Sequence, residues 1–227
     1  MDVILIAGLW LPHSIWADVV AELEQLGHRA LPVALPGVDD ASTTATLDDQ
    51  VAAGLSVVDA ADRPMVVGHS AACTLAWMIA DQRLDAIGRV VLVGGFPYED
   101  GDAYADLFPT ADGVMAFPGW DPFEGADSVD LGQAERDRIA TEAVPVPEGV
   151  SKGVVRLTDD RRFDVPVLLV CPEYSPEQAK AWIDGGDVPE LSRATDVSFE
   201  DIDSGHWPMV SQPAELARIL DAAAKEG

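Results

Sequence analysis

Short apolar runs alternate along the chain with segments whose apolar residues recur at helical spacing. The first run, residues 3–7, is aliphatic and ends at Gly8, which is typical of a strand buried on both faces. Residues 17–26 then place apolar side chains three or four positions apart and end at Gly27, which predicts a helix with a glycine at its end. The chain therefore begins with a strand, a loop and a helix.

The same alternation continues through most of the chain. Further strands are predicted at residues 30–35, 65–67, 90–93, 165–170 and 197–202. Further helices are predicted at residues 47–60, with Thr46 as the N-cap, and at 72–81, 176–183 and 213–224. Strands that alternate with helices form a parallel sheet. We expect an α/β fold with a mostly parallel sheet of about six strands, flanked by helices.

The alternation fails between residues 98 and 164. Aromatic stretches rich in Pro and Gly surround one short helical segment there, at residues 134–143. The whole chain has 227 residues, 48% of them hydrophobic, which is enough for one sizeable core and short for two. We interpret residues 1–227 as a single domain and residues 98–164 as a lid inserted into it.

Charge and composition exclude several classes of partner. The chain carries 14 basic and 40 acidic residues, a formal net charge of −26, which repels nucleic-acid backbones and anionic lipid surfaces. The apolar runs are too short to cross a membrane, and the first residues lack the features of a secretory signal. We expect a cytoplasmic protein that binds neither nucleic acid nor membrane; the sequence carries no signal for an oligomeric state.

Cys73 and Cys171 lie in apolar segments, and we expect buried thiols rather than a disulfide.

A candidate nucleophile lies where the third strand meets its helix. Residues 68–72 read GHSAA, close to the G-x-S-x-G pattern in which a sharp turn lifts a serine hydroxyl out of the sheet. Ala72 stands where the last glycine of that pattern would be. The alternative is that Ser70 only caps the following helix.

A candidate general base follows the last strand. Residues 204–208 read SGHWP and precede the last helix. Because the carboxyl ends of parallel strands meet at one edge of the sheet, His206 can face Ser70. A packed loop histidine is the alternative, but the pairing with the Ser70 turn in this chain order favours a general base.

These segments, together with residues 6–10, resemble the α/β-hydrolase fold family over nearly the whole chain. The start of the chain, Trp16 and residues 26–30 are similar to its small esterase and hydroxynitrile-lyase-like branch, although Ala7 stands where a histidine is common. The resemblance implies the order serine, acid, histidine and an oxyanion hole made by the N–H groups of Leu9 and Ala71. It implies a reaction without a cofactor, and no segment shows the ligand spacing of a metal site.

The acid is the least determined member of the predicted triad. Glu173 follows the penultimate strand and precedes His206 by 33 residues, and glutamate can replace aspartate in this role. Other carboxylates stay open as alternatives: Asp184 and Asp187 lie in the same loop-and-helix stretch as Glu173, and Glu99 and Asp100 follow the preceding strand.

The predicted activity is that of a serine hydrolase with an acyl-enzyme on Ser70. The expected partner is a small to medium apolar carboxylic ester or lactone. A serine at this position argues against the dehalogenases and epoxide hydrolases of the same fold, which attack through a carboxylate. A hydroxynitrile-lyase-type reaction and a ligand sensor with little turnover are the alternatives. We expect the substrate pocket to be lined by Trp10, Phe96, Phe117, Trp120 and Trp207. Six residues in or next to the lid either line this pocket or form the core of the lid: Phe96, Phe108, Met115, Phe117, Trp120 and Phe123.

Overall fold

The structure is a computed structural model in which residues 1–225 are described. Its strands in this part of the chain are β1 (Asp2–Ile6), β2 (Arg29–Pro32), β3 (Met65–His69), β4 (Arg89–Val93), β5 (Val114–Met115), β6 (Val146–Pro147), β7 (Val167–Cys171) and β8 (Val197–Asp201). Its α-helices are α1 (Ala17–Gln25), α2 (Leu47–Asp59), α3 (Ala72–Gln82), α4 (Gln133–Glu142), α5 (Glu148–Ser151), α6 (Pro176–Gly185), α7 (Pro189–Ser192), α8 (Pro208–Ser211) and α9 (Pro213–Lys225). Single 3₁₀ turns lie at His13–Trp16, Asp121–Phe123 and Asp160–Asp164.

A parallel sheet of six strands forms the centre of the protein, in the order β2-β1-β3-β4-β7-β8. The predicted α/β architecture is confirmed, and every predicted strand and helix is found within a few residues of its expected bounds. The inner strands β3 and β7 are buried over their whole length. Their mostly apolar sequences agree with this burial, because helices cover both faces of the sheet.

Two apolar layers enclose the sheet. One contains side chains of α2 and α3 around the buried Trp77. The other contains side chains of α1 and α9 around the buried Trp16. Thr46 caps α2 as predicted, since its hydroxyl accepts from the N–H of Asp49 while the Asp49 carboxylate accepts from the N–H of Thr46. The two cysteines are buried and unpaired with each other, as expected.

Residues 94–166 connect β4 to β7, and we call them the β4–β7 segment. They contain α4, which the sequence predicts, and an antiparallel pair of two-residue strands, β5 and β6, which it does not. The end of the segment is anchored by Arg162, which is buried between Asp81 on α3 and Glu190 on α7. No helix within residues 1–225 is long and apolar enough to cross a membrane.

Candidate active site

Ser70 stands on a sharp turn between β3 and α3. Its φ is +56°, a left-handed value that is uncommon outside glycine. Its N–H donates to the carbonyl of Val93 on the neighbouring strand at 2.9 Å. A Cβ added at Gly68 would lie 2.3 Å from the carbonyl oxygen of Ala72, so the first glycine of the motif is needed for this turn. Ala72 itself is fully buried in the position of the last glycine.

Three side chains from three strand ends form a continuous hydrogen-bonded chain. The Oγ of Ser70 lies 2.9 Å from Nε2 of His206, and Nδ1 of His206 lies 2.8 Å from Oε1 of Glu173. They follow β3, β8 and β7, whose carboxyl ends meet at the same edge of the sheet. The structure thus brings together the three residues that the sequence analysis singled out.

The other candidate acids lie elsewhere. Asp184 forms an ion pair with Lys180 on the exposed side of α6. Asp100 accepts a hydrogen bond from the backbone N–H of Leu157. Of the five carboxylates that the sequence analysis weighed, Glu173 is the one bonded to His206.

Gly94 and Gly95 leave room for the triad residues that lie beside them, a role that was not predicted from the sequence. A Cβ added at Gly95 would lie 2.6 Å from the carbonyl oxygen of Ser70. Gly94 has a φ of +61°, and a Cβ there would lie 3.3 Å from Nδ1 of His206 and 3.5 Å from Oε2 of Glu173. The sequence feature that could have identified this role is the glycine pair directly after β4, because glycines at such a position indicate that another part of the backbone approaches closely.

A second histidine, His69, forms a hydrogen bond with the loop that carries His206. Nε2 of His69 lies 2.7 Å from the carbonyl oxygen of His206, so Nε2 carries the proton and donates. His69 is 1% exposed, and burial lowers its pKa to about 3. The ring therefore stays neutral at ordinary pH. No role for His69 was predicted from the sequence.

The β4–β7 segment also forms hydrogen bonds with the loop that carries His206. The N–H of His206 donates to the carbonyl of Asp127 at 2.7 Å, and the N–H of Gly205 donates to Oδ2 of Asp130 at 2.8 Å. A Cβ added at Gly205 would lie 2.3 Å from the carbonyl oxygen of Asp127, so the contact requires glycine. Burial raises the pKa of the Asp127 carboxyl. No local pattern marks either aspartate in the sequence.

The predicted oxyanion donors lie beside Ser70. Ala71 follows it directly at the N-terminus of α3, where the helix dipole favours negative charge. Leu9 lines the same cavity as Ser70, and its neighbour Gly8 packs so closely that an added Cβ would lie 3.0 Å from Cβ of Ser70. Within the described chain, neither the N–H of Leu9 nor that of Ala71 donates a hydrogen bond. Both are available to an oxygen bound at Ser70.

A small apolar cavity opens at Ser70. Its polar side chains are those of Ser70, His69 and His206, and the other lining residues are Leu9, Trp10, Leu11, Phe117, Phe123, Ile139, Ala143 and Trp207. Three of the five expected pocket residues are therefore part of the lining: Trp10, Phe117 and Trp207.

The remaining two expected pocket residues pack outside this lining. Phe96 stacks on Tyr174 at 5.5 Å between ring centroids and packs edge-on against Trp182. Trp120 lies behind the lining, with its ring 5.6 Å from that of Phe117 and 5.2 Å from that of Trp207. Both contribute to aromatic packing around the site.

The arrangement has the parts that acyl transfer needs. A histidine that is hydrogen-bonded to a serine hydroxyl and oriented by a carboxylate can remove the serine proton. Two free backbone N–H groups can stabilise the negative oxygen that develops during attack. Within residues 1–225, no three His, Cys, Asp or Glu side chains are grouped so as to hold a metal ion.

Comparison with solved structures agrees with the fold. A solved structure described as an extracellular alpha/beta-hydrolase from a Paenibacillus species has a TM-score of 0.77 at 17% identity, covering 98% of this chain and 98% of that chain. A methylesterase from Arabidopsis has a TM-score of 0.78 at 13% identity, with 100% of both chains covered. Tomato methylketone synthase I has a TM-score of 0.76 at 13% identity, covering 99% and 98%. At these identities the likeness shows the fold alone.

Sequence comparison adds the family. No curated protein matches the sequence. A sequence model described as the alpha/beta hydrolase family matches residues 3–219, nearly the whole chain. The chain therefore belongs to the alpha/beta hydrolase family.

Proposed function

We propose that this protein is a serine hydrolase that cleaves a small to medium apolar carboxylic ester or lactone. The observation that carries the proposal is the hydrogen-bonded chain from Ser70 through His206 to Glu173, with distances of 2.9 and 2.8 Å. Such a chain activates a hydroxyl that is otherwise a weak nucleophile at neutral pH.

The reaction proceeds in two halves. The Ser70 oxygen attacks the ester carbonyl carbon while its proton passes to Nε2 of His206, and Glu173 stabilises the imidazolium that forms. The N–H groups of Leu9 and Ala71 hold the resulting oxyanion. His206 then gives its proton to the leaving alkoxide, which departs as the alcohol and leaves an ester on Ser70. Water, deprotonated by His206, attacks that ester, and Ser70 leaves with the proton as the acid is released.

The cavity supports an apolar and compact substrate. Aromatic rings of Trp10, Phe117, Phe123 and Trp207 line the small cavity, and no Lys, Arg, Asp or Glu lines it among the described residues. The net charge of −26 disfavours polyanionic ligands. Structures of similar fold include proteins named as a methylesterase and as a pyrethroid hydrolase from Sphingobium faniae. Their names agree with ester cleavage.

We further propose that residues 98–164 act as the lid of this site. Phe117, Phe123, Ile139 and Ala143 supply one wall of the cavity from this part of the chain. Closure of such a wall over Ser70 excludes bulk water from the oxyanion.

The lyase alternative is less well supported. Hydroxynitrile cleavage in the related branch uses an additional polar residue near the substrate, notably a lysine. Lys152 pairs with Glu148 and Lys180 pairs with Asp184, both on exposed helix surfaces, and neither lines the cavity. A ligand sensor would use the same pocket and differs only in turnover.

Hydrolysis of p-nitrophenyl acetate, butyrate and octanoate distinguishes these functions. The hydrolase proposal predicts turnover with the wild type and none above background with Ser70→Ala or His206→Ala. It further predicts the highest kcat/KM for the acetate or butyrate, because the cavity is small. Cyanide release from mandelonitrile without ester turnover would instead establish the lyase. Tight retention of the ligand without either reaction would establish the sensor.

A further inference from the structure

Trp10 combines a strained backbone with a position next to a proposed oxyanion donor. Its φ is +65°, in the left-handed region that bulky residues rarely adopt. It directly follows Leu9, and its side chain lines the cavity at Ser70. A residue holds such a conformation only when its surroundings impose it.

Both ends of Trp10 are held by the β4–β7 segment. The indole Nε1 donates to the carbonyl of Met115 at 3.1 Å, and the backbone carbonyl of Trp10 accepts from the N–H of Val144 at 2.9 Å. Met115 lies on β5 and pairs with Val146 on β6, two residues after Val144. The two hydrogen bonds therefore attach Trp10 to β5 and to the residue two positions before β6.

The indole ring is held as well. It packs against Phe108, Phe117 and Phe123 with ring centroids 5.7, 5.5 and 6.2 Å away, and all three come from the β4–β7 segment. Trp10 is only 6% exposed. The segment thus fixes both the side chain and the carbonyl of a residue whose backbone would otherwise relax.

We propose that Trp10 is a positioning residue through which the β5–β6 pair sets the direction of the Leu9 N–H. The Leu9 N–H lies in the peptide plane between Gly8 and Leu9, one residue before Trp10, so a change in the φ of Trp10 shifts the Leu9–Trp10 peptide and, through it, the turn that presents the Leu9 amide. Donors act on an oxyanion only when they are aimed at it before the reaction. This inference rests on the proposed hydrolase function and extends it, because it makes the β4–β7 segment part of the oxyanion hole.

Two variants release Trp10 in different ways. Trp10→Phe keeps an aromatic ring and removes the hydrogen bond to Met115. Val144→Pro leaves Trp10 intact and removes the N–H that its carbonyl accepts; Ala143 before it already has the extended backbone (φ −60°, ψ 125°) that a proline favours. Trp77→Phe is the matched control, since it removes an indole hydrogen bond to Glu190 in the buried core, away from the cavity.

The readout compares p-nitrophenyl butyrate with its thiono analogue, in which sulfur replaces the carbonyl oxygen. Sulfur is the weaker hydrogen-bond acceptor, so aligned oxyanion donors favour the oxygen ester. We expect kcat/KM for the oxygen ester to fall about tenfold in Trp10→Phe and in Val144→Pro, less than for complete loss of a donor. The thiono ester should lose less, so that the oxygen-to-sulfur preference shrinks. Trp77→Phe should keep the wild-type preference.

The outcomes separate this inference from the proposed function. A wild-type oxygen-to-sulfur preference in both variants, whatever the absolute rates, would overturn the role of Trp10. If the wild type forms a fluorophosphonate adduct on Ser70 without hydrolysing esters, the hydrolase proposal fails. In that case the rate of adduct formation tests the role of Trp10. This rate should be lower in Trp10→Phe and in Val144→Pro than in Trp77→Phe. A wild type that forms no adduct and hydrolyses no ester overturns both.

Discussion

Oδ2 of Asp130 accepts a hydrogen bond from the backbone N–H of Gly205 at 2.8 Å. This contact joins the β4–β7 segment to the loop that carries His206. The neighbouring carbonyl of Asp127 accepts from the N–H of His206 itself. Together with the hydrogen bonds at Trp10, these contacts show that the β4–β7 segment is attached to the loops on two sides of Ser70.

Removing the Asp130 carboxylate should impair catalysis more than stability. In Asp130→Ala the N–H of Gly205 loses its acceptor, and His206 is held less firmly against Ser70. We expect kcat/KM for p-nitrophenyl butyrate to fall about tenfold, since small displacements of reacting groups are costly in rate. Asp130→Asn keeps an acceptor oxygen and should lose less.

Asp137→Ala is the matched control for this experiment, because Asp137 lies exposed on α4 and bonds the side chain of Gln133 there. Thermal unfolding of the three variants measures the effect on stability. Equal activity of Asp130→Ala and Asp137→Ala would show that the contact with Gly205 does not position His206.

Glu173→Gln should reduce kcat by about 10²–10⁴-fold, because the amide cannot stabilise the imidazolium of His206 as a carboxylate does. Glu173→Asp keeps the charge on a shorter side chain and should retain more activity. Asp184→Asn is the control, since Asp184 was an alternative acid and pairs with Lys180 instead. Steady-state kinetics with p-nitrophenyl butyrate measure all three. A larger loss in Asp184→Asn than in Glu173→Gln would mean that the acid has been misassigned.

The buried His69 should make stability depend on pH. Its pKa is lowered to about 3 in the folded protein by burial, whereas in the unfolded chain it is about 6.5. Below about pH 6.5 the unfolded chain therefore binds a proton that the folded protein does not. Stability from this residue is fully present above the unfolded pKa and falls, by up to roughly 1.4 kcal/mol per pH unit, as the pH decreases towards 3.

Urea unfolding of the wild type and His69→Gln between pH 7.5 and 4.5 tests this pH dependence. Glutamine does not titrate, and its amide can donate to the carbonyl of His206. We expect the wild type to lose stability relative to the variant as the pH falls. A difference in the free energy of unfolding that stays constant over this range would contradict the assignment of His69 as a neutral buried donor.

Gly95→Ala should distort the Ser70 turn. The added methyl group would lie 2.6 Å from the carbonyl oxygen of Ser70, so backbone must move, at a cost of about 1–3 kcal/mol in stability. We expect a loss of esterase activity of at least about tenfold, since Ser70 moves relative to His206. Gly185→Ala is the control, because the nearest atom to its Cβ would be 3.7 Å away. Wild-type activity in Gly95→Ala would show that the turn tolerates the displacement.

Much of the fold could be predicted because its signals are local. Apolar strands such as β3 and β7 alternate with amphipathic helices, and Thr46 with Asp49 marks the start of α2. Ser70 and His206 could be found because each lies in a short segment between a strand and a helix. The parallel sheet then brings those segments to one edge without any further information.

The rest depends on contacts between distant parts of the chain. The β5 and β6 strands have two residues each, too short for a periodic pattern. Asp130 acts through a contact 75 residues away in the sequence. Phe96 lies three residues after the end of β4, yet its ring packs on Tyr174 rather than in the cavity, because side-chain direction in a loop follows no fixed period.

The central claim is that Ser70 is the nucleophile, and covalent labelling tests it most directly. Wild type and Ser70→Ala are treated with an alkyl fluorophosphonate at pH 7.5, and the mass of the intact protein and of its peptides is measured. We predict one adduct per wild-type chain, located on Ser70, and no adduct on Ser70→Ala. An unlabelled wild type, or equal labelling of Ser70→Ala, would contradict the account.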